Sequence, residues 1–490
     1  MGEPADTVLI ATAETQWIAG RATPSQASET ITVLDPSDAT AIAEVPRGSA
    51  ADAAAAVAAA REAGCLWGTL SPAARAAQLR EAGRKMQRCR DEIARLLTRE
   101  NGKPLAQSFA EIDASVGLIN TMSELGIYFS TRHLGSQEGD LVFQQWQPRG
   151  VAACISTWNF PVIASVELAV CNLVVGNTVV LKSSEKTPLA TRLLFECIFD
   201  HLPHGAVNHV NGDGANMGEP LVRQPGVDLV CFIGSVNVGR HIGRIAGERV
   251  LKVILELGGK DAFIVDDTVD PAAVARLAAR CAFANSGQIC TSTERIYVHR
   301  RVRDAFVDHL VQAAKSLKLG PGLDPTSELG PLIDEDQISK VEQHVNTAIQ
   351  VGAEALTGGC RLDRPGFYYP PTVLVNVSED MSVMYEETFG PVAPVVRVDS
   401  FDEAIERANA SEYGLSAIVC TESAPNAIHA IKKLQAGTIK INCERGQAPG
   451  AHAEPFKNSG IGVGHGIDFL RELTIRKAVH WRARLDARQV

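Results

Sequence analysis

From about residue 150 onward, apolar runs of strand length alternate with stretches of helix length, and that alternation leaves few folds open. Residues 151–156, 178–182, 228–233 and 250–255 read as short buried strands, with helices beginning near Pro161, Thr187 and Ser235. After Gly258-Gly259 the pattern restarts with a strand at 261–265 and a helix from about Asp270. It continues through strands at 295–299, 372–375, 394–398, 416–420 and 438–442. Such a run predicts an α/β protein with largely parallel sheets. At 490 residues the chain is too long for one core, and a boundary near residue 257 divides two α/β domains. Upstream, Ser49 caps an alanine-rich helix expected to stop at Gly64. Ser71-Pro72 then opens a helical region that runs, with breaks, to Asn101-Gly102. Residues 131–149 alternate without a helical period and read as a β-excursion, and 473–481 as one more strand.

Charge and cysteine usage narrow the function. The formal charge of -10 is spread along the whole length, which argues against nucleic acid or an anionic membrane as partner. The eleven cysteines are scattered, odd in number and without a C-x-x-C pair, as expected of free thiols in a reducing compartment. The first ten residues lack a basic segment followed by an apolar core. The most apolar stretch, 162–181, is interrupted by Glu167, Asn172 and Asn177. The expectation is a soluble, cytoplasmic protein. The histidines show no metal spacing, and His201-x-x-His204 in a proline-containing loop reads as a turn, so no metal site is expected.

Three segments carry candidate chemistry. Gly212-Asp213-Gly214 followed by Gly218 has the wrong spacing for a dinucleotide fingerprint and reads as a strand-to-helix turn. Gly234-Ser235 followed by Gly239 comes after an apolar strand and opens a helix, so its backbone N–H groups could meet a phosphate. Cys290 stands apart from the other thiols because it lies in a small polar loop, Asn285-Ser286-Gly287-Gln288-Ile289-Cys290-Thr291, where reactive groups tend to be placed. Glu256 ends an apolar strand before Gly258-Gly259, a poorly hydrated position that suits a general base.

Taken together the chain resembles the aldehyde dehydrogenase superfamily, non-acylating type. The matching pieces follow the family's order over nearly the whole length. They are Trp158-Asn159-Phe160-Pro161, Leu181-Lys182-Ser183-Ser184-Glu185, Phe232-Ile233-Gly234-Ser235 and Glu256 to Lys260. Then come Asn285 to Cys290, Glu386-Glu387-Thr388-Phe389-Gly390-Pro391 and Lys457-Asn458-Ser459-Gly460. The resemblance implies a Rossmann-like cofactor-binding domain (1–130 and 150–256) and a second α/β catalytic domain (257–456). It further implies a small β oligomerisation excursion (131–149, with 470–490), and hence a homodimer or homotetramer.

The roles it implies suit the residue types. Cys290 would attack the aldehyde carbon, Asn159 would hold the oxyanion, and Glu256 would activate the water that hydrolyses the thioester. Ile155, Trp158, Lys182, Glu185, Gly234, Ser235, Gly239, Leu257, Glu387 and Phe389 would bind the dinucleotide. NAD is expected over NADP, since Glu185 at the adenosine ribose would repel a 2′-phosphate. Phe160, Ala164, Glu167, Ile289, Thr291 and Arg445 would surround the aldehyde, without selecting a particular one. The chain departs from the family at Thr157 (usually Pro), Ile233, Cys171-Asn172, residues 453–456, and Val463-Gly464 where an Arg-Glu pair is usual. The competing readings are a CoA-acylating semialdehyde dehydrogenase, a non-catalytic binding protein on the same fold, and a thiol hydrolase without nicotinamide. The carboxylate at Glu256 weighs against the first, and the intact Cys290–Glu256–Asn159 set against the second.

Overall fold

The computed structural model describes residues 15–129, 132–137, 140–444 and 453–482. Its first large sheet has eight strands in the order Gly460–Ile461, Lys252–Glu256, Leu229–Ile233, Val151–Ile155, Thr178–Lys182, Val207–Val210, Thr15–Ile18, Arg21–Pro24. The five strands from Lys252–Glu256 to Val207–Val210 run parallel. Along its central strands successive residues feed opposite faces. Ala152, Cys154, Val179 and Leu181 enter one apolar cluster, whereas Val151, Ala153, Ile155 and Val180 enter another. Burial on both sides is why these strands read as unbroken apolar runs.

The second sheet has seven strands, in the order Glu354–Thr357, Thr372–Val375, Val392–Val398, Thr293–His299, Asp261–Val265, Ser416–Cys420, Thr438–Ile441. All pairs are parallel except the outermost, Glu354–Thr357 with Thr372–Val375. The α/β class expected from the alternation is the one observed. The strands at 178–182, 261–265, 372–375 and 416–420 have their expected bounds, and the other expected core strands differ by one or two residues. Seven strands gave no signal: Thr15–Ile18, Arg21–Pro24, Thr30–Asp35, Thr40–Pro46, Val207–Val210, Glu354–Thr357 and Gly460–Ile461. Most are two to four residues long, too short for a period to emerge.

The helix capped by Ser49 does not stop at Gly64 but runs Ala50–Trp67, with Ser49 accepting from the N–H of Asp52. The reason lies beyond the glycine. Trp67 is fully buried and its indole N–H donates to the carbonyl of Leu173 at 3.0 Å, so packing carries the helix one further turn. Gly64 itself sits over Thr178, where no side chain is needed.

In the sequence the β-excursion and the terminal strand read as separate pieces. Instead Thr474–Arg482 pairs antiparallel with Asp140–Pro148 along its whole length, and Asp140–Pro148 pairs with Arg132–Gln137. The edges of this three-stranded sheet are therefore Thr474–Arg482 and Arg132–Gln137. Replacing Trp67 by Ala should destabilise the fold by ~3–5 kcal/mol, from lost burial, a cavity and an orphaned carbonyl. Denaturant unfolding followed by intrinsic fluorescence and circular dichroism would measure it. A change under 1 kcal/mol, on the order of a surface substitution, would mean that Trp67 does not anchor the helix.

Candidate active site

In an open parallel sheet the carboxyl ends of the strands face the ligand. Here the register places Ile155 beside both Lys182 and Phe232, and Ile233 beside Glu256. Three strands thus deliver a candidate cofactor or catalytic residue to one edge, and the fourth, Leu229–Ile233, leads directly into Gly234-Ser235.

The loop after Val151–Ile155 carries Asn159, 4 % exposed. Its side-chain oxygen accepts from the Thr157 hydroxyl at 3.0 Å, and its amide donates to the carbonyl of Gln288 at 2.9 Å. Thr157, a departure at sequence level, thereby orients the amide. An amide nitrogen has two N–H donors, so one is left beyond the Gln288 contact. The Asn159 carbonyl accepts from Lys103 at 2.6 Å and from Asn285 at 3.1 Å. Lys103 is buried and ion-paired with Glu111 at 2.7 Å, and stands 4.0 Å from the centre of the Phe160 ring. The other oxygen of Glu111 accepts from the N–H groups of Val162 and Ile163, at the start of helix Pro161–Val174. Neither Lys103 nor Glu111 was singled out in the sequence, because nothing local couples them to a loop more than fifty residues away.

The loop bearing Cys290 contains three consecutive residues of positive φ: Asn285 (50°), Ser286 (56°) and Gly287 (73°). Such backbone is costly outside glycine and persists only where the surroundings impose it. The impositions are specific. Ser286 donates to Gly330, Gln288 accepts from the N–H of Ile333 and donates to the Asn285 carbonyl, and Gly287 packs against the Gly390 carbonyl. Cys290 is half-buried at the end of this loop. Its carbonyl lies against Gly259, where a Cβ would come within 2.6 Å. The neighbouring Gly258 makes the same room for Glu387, whose carboxylate also accepts from the N–H of Gly259 at 3.0 Å. The glycine pair brings the two sheets' loops into contact.

Glu256 ends its strand with the carboxylate against Gly464, close to Glu167 and His465. Burial raises its pKa, His465 opposes that, and Glu167 adds to it. Glu167, expected at the substrate entrance, is 7 % exposed and ion-paired with His465. Of the other entrance residues, Ala164 and Ile289 are buried, Phe160 and Thr291 half-buried, and Arg445 lies outside the described residues.

The residues present fit a dinucleotide. Ser235 caps helix Val236–Glu248, and side chains at Gly234 and Gly239 would collide with Phe232 and Leu257. A backbone so stripped lets phosphate approach a helix N-terminus. Lys182, 4 % exposed, pairs with Glu185 at 2.9 Å. Burial raises the Glu185 pKa, but Lys182 outweighs it and holds the carboxyl below its ordinary value. Trp158 and Phe389 face each other edge to face at 5.2 Å. Phe389, itself at φ 56°, is pinned where Glu294 accepts from its N–H and that of Thr388 and pairs with Lys260. Glu387 is pushed up to about 7, by burial first and then by Glu294. Gly212–Gly218 forms the strand-to-helix turn read from its spacing, following Val207–Val210. Replacing Lys103 by Met should destabilise the protein by ~3–5 kcal/mol, because Glu111 would be left buried without its counter-charge. Thermal unfolding at constant pH checks this; an unchanged midpoint would remove the pair from the site's support.

The aldehyde dehydrogenase family model matches residues 23–479. The chain is 35% identical over 477 residues to the mitochondrial aldehyde dehydrogenase of Leishmania tarentolae, covering 95% of this chain and 94% of that protein. It is also 35% identical over 454 residues to lactaldehyde dehydrogenase of Escherichia coli strain K12, covering 92% and 95% respectively. Among solved structures, the NAD+ complex of a Bacillus cereus aldehyde dehydrogenase superposes with a TM-score of 0.95 at 32% identity, covering 99% of each chain. The fold, the glycine-lined cleft and these relationships lead to one conclusion: the chain belongs to the aldehyde dehydrogenase family and is an NAD(P)-dependent oxidoreductase acting on aldehydes.

Proposed function

We propose that the chain carries out this oxidation with Cys290 as nucleophile, Asn159 as oxyanion donor and Glu256 as general base, the acid being released to water. The observation that carries the reading is the direct contact of the Cys290 loop with the Asn159 amide on one side and the Gly258-Gly259 segment that follows Glu256 on the other. The Cys290 thiolate attacks the carbonyl carbon, and the oxygen gains the negative charge beside the remaining Asn159 N–H. When bound, a nicotinamide dinucleotide would accept the hydride that the adduct on Cys290 gives up, and the group left on Cys290 would be a thioester. Water then attacks that thioester, Glu256 takes its proton, and the C–S bond breaks with the electron pair returning to sulfur. A carboxylate at position 256 favours hydrolysis over acyl transfer to CoA.

For the cofactor, Ile155, Trp158, Lys182, Glu185, Gly234, Ser235, Gly239, Leu257, Glu387 and Phe389 are the proposed contacts. Glu185, held as a carboxylate by Lys182, favours NAD because it would accept from ribose hydroxyls and repel a 2′-phosphate. The proposed domain limits are 1–130 and 150–256 for cofactor binding and 257–456 for catalysis. The strands within 131–149 and 470–490 serve a homodimer or homotetramer. Support for that assembly comes from the exposed Ile475 and Trp481 on an edge strand. Among the described residues no helix is long and apolar enough to cross a membrane, and we place the protein in the cytoplasm.

Five measurements test the reading. Cys290→Ala should abolish NADH formation and any covalent acyl adduct in intact-mass spectrometry. Glu256→Gln should give a burst of NADH and then a steady state slowed ~10²–10⁴-fold, with acyl-enzyme accumulating. Asn159→Ala should instead slow thioester formation ~10²–10³-fold. An adduct on another cysteine would sink the mechanism. Glu185→Gln should raise the efficiency with NADP relative to NAD about tenfold, by removing a like charge; an unchanged ratio would show that Glu185 does not set the preference. In light scattering the protein should exceed its 52.3 kDa chain mass.

A further inference from the structure

The charges around Glu256 are not those its family neighbours would lead one to expect. Where an Arg-Glu pair is usual the chain has Val463-Gly464, and a cation stands one residue on, at His465. A methyl group on Gly464 would overlap the Glu256 carboxylate, so the base lies directly against the backbone that leads into His465. His465 has φ 64° and ψ 158°, a region of backbone space open mainly to glycine that costs any other residue ~1–3 kcal/mol. What fixes it there is the ion pair between its Nδ1 and Glu167, which projects from the buried helix Pro161–Val174. Glu167, Phe232, Ile254, Glu256, Gly464 and Phe469 line one small cavity. The ionisable groups facing Glu256 are Glu167 from that helix, His465 from the C-terminal segment and the Cys231 thiol from the adjacent strand. Without the imidazolium, two carboxylates would share a poorly hydrated pocket, an arrangement that forces one of them to protonate.

We propose that His465, clamped by Glu167, is the counter-charge of Glu256: a positioning residue that keeps the general base in its carboxylate form at working pH. The proposal rests on the reading of Glu256 as the base. Burial works against the charge on His465, but Glu167 and Glu256 outweigh it and hold the imidazolium up to about 9. The cation therefore persists across the range in which the base must lose its proton. The sign follows directly. Removing the cation disfavours the Glu256 carboxylate and moves its titration to higher pH, whereas removing Glu167's negative charge moves it to lower pH.

The test uses 4-nitrophenyl acetate, which needs no nicotinamide. The Cys290 sulfur attacks the ester carbonyl and expels 4-nitrophenolate, giving an acetyl thioester. Water hydrolyses that thioester while its proton passes to Glu256. The rate of deacylation is read from loss of the acetyl mass as a function of pH. His465→Asn, which removes the cation but keeps a polar side chain, should move the acidic limb up by roughly one unit, with the high-pH plateau retained. Below the limb this is about a tenfold loss of rate. His465→Lys should restore the wild-type limb, and Glu167→Gln should move it the other way. A lower plateau with an unmoved limb, or shifts of the same sign in His465→Asn and Glu167→Gln, would overturn the proposal. Glu256→Gln serves as control. If it leaves deacylation unchanged, the general-base reading itself fails; if it slows deacylation while His465→Asn moves nothing, only the counter-charge role fails.

Discussion

One buried ion pair holds the catalytic side of the molecule together. Lys103 and Glu111 lie beneath the active-site loop, fully removed from water. Each uses its second contact on a different part of the site: Lys103 on the Asn159 carbonyl, Glu111 on the first N–H groups of the helix that follows. A carboxylate at a helix N-terminus is favoured by the unpaired donors and the dipole there. The desolvation both ions suffer is thus offset by hydrogen bonds as well as by their attraction, the condition under which a buried pair is tolerated. Asn159 inherits its position from this arrangement, and through Asn159 and Asn285 so does the loop bearing Cys290.

The framework was legible wherever burial on both faces produced unbroken apolar runs, as at Thr178–Lys182 and Asp261–Val265. It was not legible where a strand exists only because a partner waits for it. Gly460–Ile461 has two residues and gains its place by pairing with Leu255 and Glu256. The candidate site divides the same way. Cys290, Asn159 and Glu256 sit in distinctive local sequence, whereas Lys103, Glu111 and His465 look like ordinary surface charges until the fold brings them inward. Glu167 could be seen as odd in an apolar helix, but its partner could not be named.

Two carboxylates of the candidate site are set by different means. Glu387 is turned toward Gly258 and Gly259 and feels Glu294 as a like charge. Glu256 has a like charge in Glu167, but also an imidazolium beside it. Opposite-sign neighbours divide the labour between groups of the same chemistry, which is how one cleft can hold several acids without all of them protonating.

The strand Gly460–Ile461 and the residues that follow it complete the surroundings of Glu256, although they come late in the chain. On the ribosome, Cys290 emerges long before them, and folding proceeds from the N-terminus as segments become available. For that interval the proposed nucleophile exists without its proposed base in place. A nascent chain could therefore hold an acyl group on the proposed nucleophile before it could release one, and turnover would arrive only when Gly460–Ile461 pairs beside Glu256.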